Sequence, residues 1–182
     1  MKAIAFFLIA AFLLVPLIMT GQTGDEENRH TLRGIKNVRL VITANLPEDL
    51  KGQLGQGQLR TGAELRLRRS GIPIAESWAE TLYVLVDVLK IPIPDVDAYC
   101  YAVRTLLKQA VYIVRFTSST DSAPRDAQEL RAYATTWSVG THGFAGGNRV
   151  AIIREAVGDQ VDEFASAFLA ANPREGGAGV SK

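Results

Sequence analysis

Residues 81–89 read Thr-Leu-Tyr-Val-Leu-Val-Asp-Val-Leu, and this stretch decides the fold. Its side chains alternate with a period of two, which is typical of a β-strand with one face in the core. The residues that share one face are all aliphatic, namely Leu82, Val84, Val86 and Val88. The opposite face carries Tyr83, Leu85 and Asp87. Such a strand needs neighbouring strands and a second layer over its aliphatic face.

A longer apolar stretch covers residues 98–116. Because Tyr, Val, Ile and Phe dominate its two ends, we predict one long strand with a bulge near Thr105. A helix is the alternative, since a second set of apolar residues recurs at helical spacing. That set is Tyr99, Val103, Leu106, Ala110 and Val114.

The remaining segments are shorter, except for one helix near the end of the chain. We predict strands over 35–43, 72–75 and 129–139, and helices over 58–69 and 148–171. The last helix has the clearest pattern, with one apolar stripe made of Val150, Ile153, Val157, Val161, Phe164 and Phe168. Connections that contain Pro or Gly are predicted over 45–57, 91–95 and 140–147.

The predicted element order is β-α-β-β-β-β-α. This order predicts a two-layer α+β domain, in which a mostly antiparallel sheet of four to five strands carries two helices on one face. The first helix is placed where it can connect two parallel strands.

The N-terminus has the pattern of an export signal. Lys2 precedes an apolar run over residues 3–19, and the polar residues that follow begin at Asp25. We therefore expect residues 1–24 to be a cleaved signal peptide or, if they are retained, a membrane anchor formed by residues 3–19. The body of the protein would then be periplasmic or secreted. We further expect a tether over 25–31, one domain over 32–173 and a disordered tail over 174–182.

Charge and composition exclude several functional classes. Apart from Lys2, the chain carries 19 basic and 19 acidic residues, so it has no general attraction for nucleic acid or anionic lipid. Membrane contact is expected only through the N-terminal segment, if that segment is uncleaved. Cys100 is the single cysteine, so no internal disulfide can form. His30 and His142 lack metal-ligand spacing, and we predict no metal and no cofactor.

The segment that most resembles a binding site is the glycine-rich connection. Backbone amides at the start of the last helix could hold an anion over Gly146, Gly147 and Asn148, with Arg149 and His142 beside it. The alternative is a tight turn between strand and helix, in which the glycines supply positive φ angles. Cys100 and His142 could in principle form a nucleophile pair, although a packed structural thiol is the simpler interpretation.

A second candidate is the side of the sheet that faces away from the helices. Tyr83 and Leu85 lie on that side of the 81–89 strand. The long strand adds one of its two apolar sets, either the one with Tyr101 and Ile113 or the one with Tyr112 and Val114, and Tyr112 is our candidate for the partner surface. An apolar face of this kind indicates a partner protein, a second copy of the chain or a ligand groove. The alternatives are a bulge that switches faces or a loop that covers the face.

Five segments carry a resemblance to a family of uncharacterised exported bacterial proteins. They are LRGIKNVRLVI (32–42), LRLRRSGIPI (65–74), LYVLVDVL (82–89), TTWSVGTHG (135–143) and VDEFASAFLAANP (161–173). The resemblance implies a small α+β domain and brings no catalytic residues. The element order is also similar to that of the lipoprotein of the lipopolysaccharide-assembly translocon, which is an analogy of fold only.

These observations favour a non-catalytic binding or assembly protein of the bacterial envelope, acting through a sheet face or edge. Its partner would be an envelope protein or a second copy in a homodimer. The alternative is an enzyme or anion-binding protein with a site over 140–149, where His142 and Arg149 would act. No catalytic residue can be assigned from the sequence.

Overall fold

The computed structural model describes residues 26–76, 79–116 and 127–173. Four strands form one sheet in the order β1-β2-β3-β4: β1 (Arg39–Asn45), β2 (Glu80–Ile93), β3 (Val96–Phe116) and β4 (Ala127–Gly146). The helices are α1 (Glu26–Arg29), α2 (Gln56–Arg69) and α3 (Ala151–Ala171). Short 3-10 turns cover His30–Leu32, Glu48–Leu50 and Gly147–Arg149.

The sheet is mixed. β1 pairs with β2 in parallel, while β2 with β3 and β3 with β4 are antiparallel. Helix α2 packs on β1 and helix α3 on β3 and β4, and the two helices contact each other on the same side of the sheet. The predicted two-layer α+β fold is therefore confirmed, including the parallel pair that α2 connects.

The core lies between the helices and the aliphatic face of β2. Leu82, Val84, Val86 and Val88 are all buried, and so is the whole predicted stripe of the last helix. The ring of Trp137 on β4 meets Phe164 of α3 edge to face, with centroids 5.2 Å apart and planes at 70°. In the described part of the chain, no helix is both long and apolar enough to span a bilayer.

Details of three segments differ from the sequence prediction. The strand expected over 72–75 is reduced to one bridge between Val38 and Ile74. The predicted loop over 91–95 is mostly strand, because β2 and β3 pair up to Ile93 and Val96 and leave a tight turn in which Asp95 has φ 57°. The long strand is confirmed, and its irregularity falls at Leu107 and Lys108 rather than at Thr105.

The two ends of the domain are joined. Residues 26–31, predicted as a tether, form α1 and part of the following 3-10 turn, and Leu32 is completely buried. The Thr31 hydroxyl lies 3.0 Å from the Thr136 carbonyl oxygen on β4. The predicted signal over 1–24 and the tail over 174–182 lie outside the described residues.

Candidate functional site

The predicted turn over 140–147 is wrong, because residues up to Gly146 continue strand β4. They pair with β3 from Arg104, opposite Gly140, to Ala98, opposite Gly146. Among the described glycines only Gly34 and Gly71 have positive φ, so β4 needs no left-handed residue here. Pairing with β3 provides hydrogen bonds for the backbone, and this tertiary effect outweighs the local preference of glycine for turns.

Close packing explains two glycines of this segment better than backbone freedom does. A Cβ atom on Gly143 would lie 2.8 Å from the hydroxyl oxygen of Tyr101. A Cβ atom on Gly147 would lie 2.8 Å from Cβ of Asp97. Both distances are shorter than carbon contacts allow, so a side chain at either position would displace its neighbour.

The residues predicted to form the anion site lie on different elements of the structure. His142 lies in the middle of β4 opposite Ala102, while Asn148 and Arg149 belong to the 3-10 turn before α3. Gly147 follows His142 by five residue positions along the strand, which corresponds to about 16 Å. The five residues of this prediction, namely His142, Gly146, Gly147, Asn148 and Arg149, therefore do not share one loop, and binding at them stays a prediction.

Cys100 and His142 lie on the same side of the sheet but are not directly opposite each other. Cys100 pairs with Phe144, and His142 pairs with Ala102, so the two side chains are diagonal neighbours. Diagonal positions are about 7–8 Å apart, whereas a nucleophile and its base need about 3 Å. Within the described chain no hydrogen bond joins them, and the arrangement provides no activated thiol.

A charged cluster that the sequence did not predict lies at the turn between β2 and β3. Lys90 Nζ is 2.8 Å from Asp49 Oδ2 and 2.9 Å from Asp97 Oδ1. The Tyr99 hydroxyl donates a hydrogen bond to the same oxygen of Asp49 at 2.9 Å. The cluster joins the 3-10 turn after β1 to the far end of the β2–β3 hairpin, which suits a structural role.

The pKa values of this cluster follow from its contacts. Hydrogen bonds from Lys90 and Tyr99 lower the pKa of Asp49, and the bonds to Asp49 and Asp97 raise the pKa of Lys90. Burial, followed by the bond to Asp49, raises the pKa of Tyr99. All these shifts stabilise the ionised pair and the neutral phenol, so none prepares a group for proton transfer near neutral pH.

The side of the sheet that faces away from the helices is apolar, and we call it the outer face. Its larger apolar side chains are Tyr83, Leu85, Leu89, Cys100, Leu106 and Phe144, which the strand registers place on one side. Phe144 is 76% exposed and Leu89 is 62% exposed, and they flank Cys100 in one row across three strands. No helix in the described ranges lies over this face.

Few charges interrupt the outer face, and each has a partner. Arg104 Nη2 lies 3.7 Å from Asp87 Oδ2, a diagonal pair across β2 and β3. The ammonium group of Lys108 lies 5.2 Å from the centre of the Tyr83 ring, within the range of a cation–π contact. The polar groups therefore neutralise or cover one another, and apolar surface dominates.

β3 and β4 extend beyond the rest of the sheet as a two-stranded ribbon, which we call the arm (residues 110–116 and 127–133). The pairing of β2 with β3 ends at Gln109, opposite Glu80. From there the arm continues for about 20 Å at roughly 3.3 Å per residue. Its exposed apolar residues are Tyr112 at 66%, Tyr133 at 58%, Val114 at 44%, Ile113 at 43% and Leu130 at 39%.

The predicted partner residues divide between these two surfaces. Tyr83 and Leu85 are half-buried on the outer face, while Tyr112 lies on the arm. The most exposed residues, Leu89 and Phe144, were missed. The alternation from Tyr83 and Leu85 onward could have identified Leu89, but Phe144 fell inside the segment predicted as a turn.

Comparisons with known proteins identify no family. No family model and no curated protein match the sequence. A solved structure of a dodecamer of a PelC point variant from Paraburkholderia phytofirmans is similar at 14% identity and a TM-score of 0.39, over 78% of this chain and 93% of that chain. A rare lipoprotein B from Shewanella oneidensis is similar at 11% identity and a TM-score of 0.26, over 74% of this chain and 87% of that chain.

Proposed function

We propose that this chain is an exported protein of the bacterial envelope that binds another protein through its outer face and performs no catalysis. The observation that carries the proposal is the exposure of Phe144 and Leu89, at 76% and 62%, on a sheet face with few charges. Folded proteins rarely leave a continuous apolar surface of this kind in water unless it binds something.

The shape of the outer face supports a protein partner rather than a small molecule. Small ligands bind in concave pockets that enclose most of their surface. Here Leu89, Cys100 and Phe144 lie side by side across three adjacent strands of one sheet. A broad sheet surface with aromatic and aliphatic side chains suits the flat, well-packed centre of a protein interface.

Photo-crosslinking in the bacterial envelope tests this function. A photoreactive amino acid would replace Phe144 or Leu89 in turn, and the adducts would be separated by mass. The matched control is the same replacement of Leu65, which is 46% exposed on α2 in the opposite layer. We expect adducts at positions 144 and 89 only. Equal labelling at position 65, or no adduct at all, would contradict a binding role for the outer face.

The competing hypothesis of a site at His142 and Arg149 is separable in the same experiment. Arg149→Ala alone is the informative variant, because His142 lies on the outer face two residues from Phe144, whereas Arg149 belongs to the 3-10 turn before α3. The Arg149 side chain is exposed, so the fold should tolerate the change, and the adducts at positions 89 and 144 should stay unchanged. Loss of the adducts in Arg149→Ala would assign the binding role to the 140–149 segment.

Export is tested separately, by envelope fractionation and the intact mass of the recovered chain. A soluble periplasmic species that lacks about 20 to 24 residues would indicate a cleaved signal. A membrane-bound species that keeps residues 1–20 would indicate an anchored domain. Recovery of the full-length chain in the cytoplasm would contradict the proposal of export.

A further inference from the structure

We propose that the outer face is covered by a second copy of this chain, with each arm lying on the sheet of its partner. This inference rests on the proposed function, because it names the protein that the outer face binds. The arm and the outer face are the two apolar surfaces left uncovered among the described residues. Tyr112, Val114 and Tyr133 of the arm lie on the same side of the sheet as the outer face, because Tyr112 and Val114 continue its alternation along β3 and Tyr133 pairs with Ala110 on that side.

The arm is the part of the fold whose apolar side chains most need to be buried against another surface. A two-stranded ribbon in water is marginally stable, and further strands or a packed surface are needed to support it. Among the described residues the arm has neither, and Tyr112 and Tyr133 expose 66% and 58% of their surface. It cannot fold back on its own outer face, since it continues the same two paired strands beyond the irregularity at Leu107 and Lys108.

A two-fold axis brings the two surfaces together. If the axis crosses the outer face between Leu106 and Lys108, it reverses the strand direction and places the arm of one copy over the far end of the other sheet. Tyr112 then lies over Ala102 of its partner and Tyr133 over Gly140, so that large rings meet small residues. Such an interface is self-complementary and closes as a dimer.

The area is sufficient for a stable dimer. At about 200 Å² for a fully exposed large side chain, the exposed fractions of Tyr112, Tyr133 and Phe144 leave about 400 Å² per copy. The half-buried residues of the same face add roughly 250 Å². Two copies would therefore bury about 1,300 Å², within the range of about 1,200–2,000 Å² that specific interfaces occupy.

The net charge and the paired charges of the outer face oppose this association only weakly. The chain has a formal net charge of +1, so two copies repel each other only weakly. Arg104 is paired with Asp87, and Lys108 stacks on Tyr83 of its own chain. Because the axis falls between residues 106 and 108, each Lys108 lies over Leu106 of the other copy and not over the second lysine.

Light scattering of the purified exported protein, over a range of concentrations, tests the dimer. We expect twice the subunit mass for the native chain. Phe144→Glu and Tyr112→Glu should each weaken dimerisation by at least about 30-fold, because each places a charge against the apolar surface of the other copy. Leu65→Glu on α2 is the matched control and should leave the dimer intact. Circular dichroism of each variant verifies its fold.

A disulfide tests the arrangement itself. Val114 of the arm should lie over Cys100 of the partner, and Cys100 is the only native cysteine. On one β3 strand these positions are about 46 Å apart, so a disulfide between them in Val114→Cys can form only between copies. We expect a covalent dimer on oxidation of Val114→Cys, and none for Leu65→Cys.

Each outcome decides between the two proposals. A monomer at every concentration, or a dimer that neither glutamate variant weakens, would overturn the inference of a second copy. If Phe144 still crosslinks to a different protein in the envelope, the proposed function survives that result. A dimer without the disulfide between residues 114 and 100 would overturn the placement of the arm.

Discussion

The backbone N–H of Gly34 donates a hydrogen bond to Asn172 Oδ1 at 2.7 Å, which ties the start of the domain to its last helix. The amide nitrogen of the same side chain donates to the carbonyl of Leu32 at 2.8 Å and to that of Phe168 at 3.0 Å. Asn172 therefore caps the C-terminus of α3 and holds the segment before β1 with one planar group.

Asn172→Ala should lower the free energy of unfolding by about 1–3 kcal/mol, because it leaves the carbonyl of buried Leu32 without this donor. Urea denaturation measures the change. Asn148→Ala is the control, since Asn148 is exposed on the turn before α3. If the two variants lose equal stability, the link between the two ends of the domain contributes nothing specific.

Gln160 provides a second polar link, and this one is buried. Its side-chain nitrogen donates to the Val103 carbonyl at 2.8 Å, and its oxygen accepts a hydrogen bond from the Thr105 hydroxyl at 3.1 Å. Gln160 is 3% exposed and Thr105 is completely buried. These two hydrogen bonds thus fix the position of α3 along β3. An apolar pair at the same place in the core would not specify that position.

Thr105→Val should cost about 1–3 kcal/mol, because it leaves the Gln160 oxygen buried without a donor. With Gln160→Met already present, the same change should cost much less, and the two substitutions should couple by at least about 0.5 kcal/mol. A double-mutant cycle from urea unfolding measures this. Additive costs would mean that the two side chains act independently.

The sequence predicted the parts of the fold that depend on local periodicity. The alternation of Leu82 to Val88 and the stripe from Val150 to Phe168 both identify the buried face, because burial on one side imposes the period of the element. These two patterns were sufficient to predict the two-layer α+β architecture. They also placed Tyr83 and Leu85 on the side of the sheet away from the helices.

Features that depend on distant pairing were not predictable in this way. Gly140 and Gly146 favour a turn locally, but their partners on β3 hold them in a strand. Lys90 contacts Asp49, which lies 41 residues away in the sequence, and no short sequence motif indicates such a contact. The exposure of Phe144 follows from the same pairing, so the most exposed part of the outer face was missed.

The charged cluster predicts a specific pH dependence. Asp49, whose pKa lies below 3.8, stabilises the fold above that pH and loses the effect on acidification. Lys90 and Tyr99, whose pKa values lie above 10.5 and 10.0, stabilise the fold below those pH values and lose the effect as the pH rises further. The stability difference between the native chain and Asp49→Asn should therefore be largest between these limits.

The Tyr99 phenol reports the cluster directly. Its ionisation, followed by phenolate absorbance and identified by comparison with Tyr99→Phe, should occur above pH 10.0 in the native chain. Asp49→Asn should move it part of the way back, because burial still raises the pKa after the carboxylate is lost. Tyr112→Phe, which removes an exposed phenol, should leave the Tyr99 midpoint in place. An unchanged midpoint in Asp49→Asn would contradict the contact.

Arg66 of α2 crosses Gly158 of α3 to form an ion pair with Asp162. A Cβ atom on Gly158 would lie 2.5 Å from Cζ of Arg66, so Gly158→Ala must displace the guanidinium. Alanine in a helix interior is otherwise favoured over glycine by about 1 kcal/mol. We therefore expect Gly158→Ala to stabilise the protein by about 1 kcal/mol when Arg66→Ala is present, and by clearly less in the native chain.

Urea unfolding of the native chain, the two single variants and the double variant measures this coupling. Gly62→Ala on α2 is the matched control, because an added methyl group there meets nothing within 4 Å. It should give the same gain with and without Arg66, since no side chain has to move. An equal gain from Gly158→Ala in both backgrounds would show that the guanidinium moves aside without loss. The glycine would then not be required for the contact between α2 and α3.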